Sequence, residues 1–116
     1  MYVDGFVLAV PKDKLDEYKK MAREAGDVWK EHGAIGYVEA TADDVPYGEL
    51  TSFPRAVIAK DDEIVVFSYA LYESRAKRDE VMKKVMEDPR LKCQMEGAPF
   101  DGKRMIWGGF ESFVSL

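Results

Sequence analysis

The 116-residue chain has one cysteine, Cys93, and one histidine, His32. A lone cysteine excludes an internal disulfide, and one histidine far from one cysteine makes no zinc pattern, so no metal is expected. No apolar run approaches the roughly 20 residues that span a bilayer. No glycine-x-serine-x-glycine elbow is present, which leaves serine-hydrolase chemistry without support. Nor is there an unopposed basic face. The 17 Lys and Arg are outnumbered by 22 Asp and Glu, for a net charge of -5. The densest basic cluster, Arg75, Lys77, Arg78, Lys83 and Lys84, is interrupted by Asp79 and Glu80. A nucleic-acid partner is therefore not expected. The start, Met1-Tyr2-Val3-Asp4, lacks the basic region and apolar run of a secretory leader, and the expected location is the cytoplasm.

One stretch imitates a nucleotide site. "GAPFDGKR", from Gly97 to Arg104, has the glycines and lysine of a phosphate-binding loop, but Arg104 stands where the hydroxyl should be. Pro99 removes a backbone donor. The stretch follows a helix and opens a strand, the reverse of what the motif needs. It reads as a crossover, with Phe100 plugging the core and Asp101-Gly102 turning the chain. Lys103 and Arg104 read first as a solvated pair at a strand start, with a bound anion or pairing with acids such as Asp61, Asp62 or Asp88 as the alternatives. No cofactor is expected.

What remains reads as a single α+β domain over residues 1–116. Residues 2–10 alternate as a strand. Pro11 ends it, and Asp13 is placed to cap a helix over about 13–32. Leu15, Tyr18, Ala22, Ala25, Trp29 and His32 form one stripe of that helix, and Gly33 stops it. Residues 35–42 and 56–59 read as one edge strand broken by an insertion, 43–54. Ile64 to Tyr72 is a long strand. Ser74 caps a second helix with Val81, Met82, Val85 and Met86 inward. Asp88-Pro89 breaks it and caps a short third helix to about Met95. Arg104 to Val114 is the last strand, and Gly108-Gly109 within it marks a bulge or a close backbone approach. Strand, helix, two strands, helix, strand is the ferredoxin-like split βαβ order. Its helices cover one sheet face, yet "IVVF" and "YALY" are apolar on both. A second copy stacked sheet to sheet, a homodimer, is the expected cover.

"MYVDGFVLAVP", "HGA" at Gly33, "DDVP" at Asp44, "EIVVFSY", "RDEVMKKVMEDPR" and "PFDGKRMIWGGFES" together resemble domain-of-unknown-function family 1428, within the dimeric α/β-barrel superfamily. The resemblance covers nearly the whole chain. It implies a ferredoxin-like subunit that dimerises into a barrel. It implies no single function, because the superfamily holds cofactor-free monooxygenases, haem-degrading enzymes, muconolactone-isomerase-like enzymes and ligand-sensing domains.

The topology gathers certain side chains at one end of the domain. His32 and Asp4 are the candidates for moving protons: the imidazole titrates near neutrality, and a carboxylate in phase with Phe6 and Leu8 needs a partner if buried. His32 also suits a helix C-terminus, and Asp4 the wet start of a strand. Glu39, Tyr37, Tyr69, Tyr72, Trp29 and Glu111 are the candidates for contacting a ligand. The insertion, with Tyr47 and Phe53, is expected over a cavity mouth or on a partner. Two functions remain open. One is a small-molecule site, binding or catalysing cofactor-free oxygenation or isomerisation of a small apolar substrate. The other is a non-enzymatic module with a filled core.

Overall fold

The computed structural model describes residues 1–116, apart from the side chain of Met95. Strand β1 (Tyr2–Pro11) leads through a 3-10 turn at Lys12–Lys14 into α1 (Leu15–His32). Strand β2 (Gly36–Thr41) follows, then a single helical turn α2 (Phe53–Ala56) and strand β3 (Glu63–Tyr72). Helices α3 (Arg75–Glu87) and α4 (Pro89–Met95) precede β4 (Ile106–Glu111). The sheet order is β2-β3-β1-β4 and every neighbouring pair is antiparallel. This is the ferredoxin-like arrangement read from the sequence.

Local chemistry explains the boundaries. Ser74 accepts from the Lys77 amide and caps α3. Asp88 does the same for α4 through the Arg90 amide, with Pro89 at the first helical position. Gly33 ends α1 at φ 123°, a conformation that side-chain-bearing residues avoid. Asp13 does not cap α1: the helix starts after Lys14 and no side chain caps it. The 3-10 turn that follows Pro11 delays the helix by about two residues.

Two other expectations need correction. Residues 56–59 are not strand. They lie in and after α2, whose turn is nucleated by the Ser52 cap and Pro54. The edge strand is β2 alone. The last strand is also shorter than residues 104–114, because Arg104 is held in a turn by Asp101 and pairing stops at Glu111.

Strand alternation divides the sheet into two faces. The helices cover the face of Asp4, Leu8, Val10, Val66, Ser68 and Tyr72. There the core forms two clusters, one around Val10, Tyr18 and Val66, the other around Trp29, Tyr72 and Val81. The opposite face is covered only in part. Val57, just after α2, is fully buried against Val7, Ala9 and Val65. Phe53 meets Phe67 edge-on at 6.0 Å. So Phe53 of the insertion and Val57 after it lie against the chain's own open sheet face rather than over the cavity mouth, while Tyr47 and Leu50 stay exposed. Beyond them the face stays open, with Val38, Phe67, Ile106 and Phe110 all exposed. No helix is long and apolar enough to cross a membrane.

Candidate functional site

A pocket of about 340 Å3 lies between the sheet and the helices, lined by members of both core clusters and open to solvent beside the exposed Met86 and Trp107. Phe6, Leu8, Ser68 and Trp107 line its floor from the sheet. Tyr18, Met21 and Trp29 of α1, Met82 of α3, and Leu91 and Gln94 of α4 form its walls. Phe100 and Met105 border it from the crossover before β4. Phe100 lies edge-on to Tyr18, with ring centres 5.8 Å apart. Both tryptophans of the chain border this space.

Tyr18 and Tyr37 are shared with a second, outer groove of about 680 Å3 between α1 and the edge strand β2. The two hydroxyls donate to the two carboxylate oxygens of Glu39, one to each. Burial, with the Glu39 charge adding to it, pushes both phenols far above their ordinary range, so both stay neutral donors. Glu39 borders the groove rather than the inner cavity. The Tyr37 ring lies so close to α1 that a Cβ on Gly26 would sit 2.8 Å from it. A glycine in mid-helix costs about 1 kcal/mol against alanine, and here it admits the ring.

A second network lies behind Trp29. Its indole Nε1 donates to the Tyr72 hydroxyl at 3.0 Å, which donates to Asp4 Oδ2 at 3.0 Å. Arg78 Nε is 3.5 Å from Asp4 Oδ1, and the same guanidinium donates to the Tyr2 hydroxyl at 3.1 Å. Asp4 is fully buried, and burial raises its pKa above the ordinary value in spite of Tyr72 and Arg78. A Cβ on Gly109 would lie 2.5 Å from Arg78 Nη2 and from the Tyr2 hydroxyl. Gly109 therefore marks a close approach, one of the two readings its place in the strand allowed.

The set expected at one end thus divides. Tyr37, Glu39 and Trp29 gather at the cavity and groove, with Tyr72 and Asp4 one hydrogen bond behind. Tyr69 does not join them. It is an odd number of residues from Tyr72 along one strand, so it faces the open side, opposite Gly5 and Val38. Glu111 pairs with Tyr2 at the end of β4 and is exposed. His32 is engaged elsewhere: its Nε2 lies 2.9 Å from Asp88 Oδ2 at the α3–α4 corner. Arg90 bridges Asp88 and Glu31 there, and with His32 it holds the Asp88 carboxyl well below the usual range. Glu31, His32 and Asp88 bring three ligand-type atoms within 4.8 Å, but Arg90 already fills the place of a cation.

The imitation phosphate loop is tied down by a different acid from those expected. Arg104 makes a bidentate pair with Glu63 at 2.8 and 2.7 Å, and the guanidinium also reaches Asp101 and the Ile58 carbonyl. The pair fixes the crossover carrying Phe100 against the start of β3. Sequence reasoning missed Tyr18, Gln94 and Ser68 as site residues. Tyr18 was readable only as a member of the apolar stripe, and Gln94 only as part of a short helix.

A family model described as a protein of unknown function, DUF1428, matches residues 1–102. The chain is 54% identical over 113 residues to the uncharacterized protein YbaA of Escherichia coli K12, covering 97% of both chains. A Shigella flexneri protein of the same name matches equally. Among solved structures, a dimeric ferredoxin-like protein from an uncultured marine organism aligns with a TM-score of 0.67 and 10% identity, covering 100% of this chain and 98% of that one. An uncharacterized NIPSNAP domain protein from Burkholderia xenovorans gives 0.61 at 13% identity over the whole of both chains. At such identities the structural likeness speaks for the fold.

Proposed function

The chain belongs to the DUF1428 family, and from that premise and the geometry above we propose that it binds a small, mainly apolar molecule in the cavity between sheet and helices. The observation that carries this reading is a pocket of about 340 Å3 walled by rings and methionines, with Ser68 and Gln94 as its polar groups. An apolar cavity with a few convergent polar groups is the usual form of a small-molecule site. A recess that leaves rings and thioethers uncovered is apolar surface of the kind that marks a binding groove. Trp29, Tyr37 and Tyr18 make the contacts, and Glu39 positions the two phenols. Asp4 and His32 are not needed as proton carriers, because Tyr72 with Arg78, and Asp88, already engage them.

A thermal-shift screen of metabolites tests the reading. A ligand at 100 times its Kd adds about 2.7 kcal/mol of apparent stability. The expected hit loses its shift when Trp29→Ala or Tyr37→Ala removes a wall of the site. A broad apolar library without any shift, with the protein folded, would reject it.

The protein acts in this reading as a cytoplasmic homodimer joined through the open sheet face. The exposed Val38, Phe67, Ile106 and Phe110 support this, as does the dimeric description of the marine structure. Light scattering should give twice the chain mass, and Phe67→Asp with Phe110→Asp should give the monomer.

A further inference from the structure

We infer that the cavity takes a neutral, flat aromatic molecule carrying a hydrogen-bond acceptor such as a ketone oxygen, which accepts from the Gln94 side chain. This rests on the ligand reading above and names its chemical class.

Charge comes first. No Lys, Arg, His, Asp or Glu is among the residues around the cavity. The carboxylates behind its walls are already engaged, Glu39 by Tyr18 and Tyr37, and Asp4 by Tyr72 and Arg78. The mouth beside the exposed Met86 and Trp107 is wet, but a charge carried deeper would lack a counter-charge, which costs far more than a neutral group. The occupant is therefore neutral.

The unmet donor comes second. Gln94 Nε2 is buried and has no hydrogen-bond partner among the described residues. It borders the cavity from α4. A buried donor left unpaired is costly, and an oxygen on the occupant removes that cost. Ser68, also buried, offers a second donor, a hydroxyl, on the opposite, sheet side.

The walls come third. Phe6, Trp29, Phe100 and Trp107 present rings, and Met82 and Met105 present thioethers. Rings stack on rings, and sulfur favours ring edges, so an aromatic occupant gains contacts that an alkyl chain of equal area lacks.

Matched probes test this, because both tryptophans border the cavity and their emission reads occupancy. The probes are 2-acetonaphthone, 2-ethylnaphthalene, 2-naphthoate and decan-2-one, the last followed by thermal shift. The ketone should bind about five- to tenfold tighter than the hydrocarbon of the same shape. It should bind at least about tenfold tighter than the carboxylate. It should also bind more tightly than decan-2-one. Gln94→Leu should bring acetonaphthone and ethylnaphthalene within about twofold without weakening the hydrocarbon. Gln94→Met should act alike, with circular dichroism verifying the fold of each. Equal or tighter binding of naphthoate or decan-2-one overturns the class, as does a ketone preference that survives both variants. If all four probes fail to bind the folded protein, the ligand cavity itself is rejected with it.

Discussion

Asp4 and Glu39 are two carboxylates on the same face of one sheet, each bonded to tyrosine, and they have opposite surroundings. Asp4 is on the central strand β1, fully buried, and beside a guanidinium. Glu39 is on the edge strand β2, borders an open groove, and is held by two neutral phenols. Depth accounts for the difference. At the centre, desolvation is severe enough that hydrogen bonds alone do not offset it, and a cation is recruited. At the edge, water shares the load and two hydroxyls suffice. Asp4 is thus part of the frame, and Glu39 belongs to the rim of the groove.

The largest effect should come from removing the cation. Arg78→Ala leaves Asp4 buried and unpaired, and should cost about 3–5 kcal/mol by urea unfolding at pH 7. Adding Asp4→Asn to it should recover part of that loss. If Glu39→Gln costs as much, the contrast between the two sites is wrong. Tyr72→Phe comes next. It strips a donor from Asp4 and an acceptor from the Trp29 indole, at about 1–3 kcal/mol. Tyr37→Phe should cost less than about 1 kcal/mol, because Glu39 keeps Tyr18 and reaches water.

The pH axis separates Asp4 from a paired acid. Glu63 is held down to about 2, from 4.5, chiefly by its hydrogen bonds from Arg104. Its contribution is complete above 4.5 and is lost as pH falls toward 2. Asp4 has the opposite sign. Its folded pKa lies above 3.8, so its contribution is complete below 3.8 and is lost as pH rises through the folded value. Urea midpoints from pH 2 to 7 should therefore fall less steeply on the acid side in Glu63→Gln. In Asp4→Asn they should climb more steeply above pH 3.8. The smallest effect should be His32→Ala. With Arg90 still holding Asp88, it should cost at most about 1 kcal/mol and leave ligand affinity unchanged.

The fold was legible because its signals are local. The stripe Tyr18, Ala22, Ala25, Trp29 and the caps Ser74 and Asp88 fixed the helices, and alternation fixed β1 and β3. The reading failed at residues 56–59, where four apolar-rich positions are too short to tell a strand from the end of a helical turn. The proposed site was legible only in part. Trp29, Tyr37 and Glu39 follow from periodicity and strand order. Grouping Tyr69 with Tyr72 confused the end of a strand with its face, although their parity separates them. Arg78 as the partner of Asp4 and Arg104 as that of Glu63 depend on side-chain reach across elements, and no spacing rule encodes that.

The Gly26–Tyr37 contact means that these two positions, eleven apart in the chain, share one allotment of volume. Neither residue has an independent permitted size. Alanine at 26 is excluded while a ring lies at 37, and becomes acceptable once position 37 shrinks. The cost of the double change should then be less than the sum of the single ones. The wall of the cavity is thus encoded jointly by a helix and a strand, and a sequence that alters one without the other carries an inconsistent message.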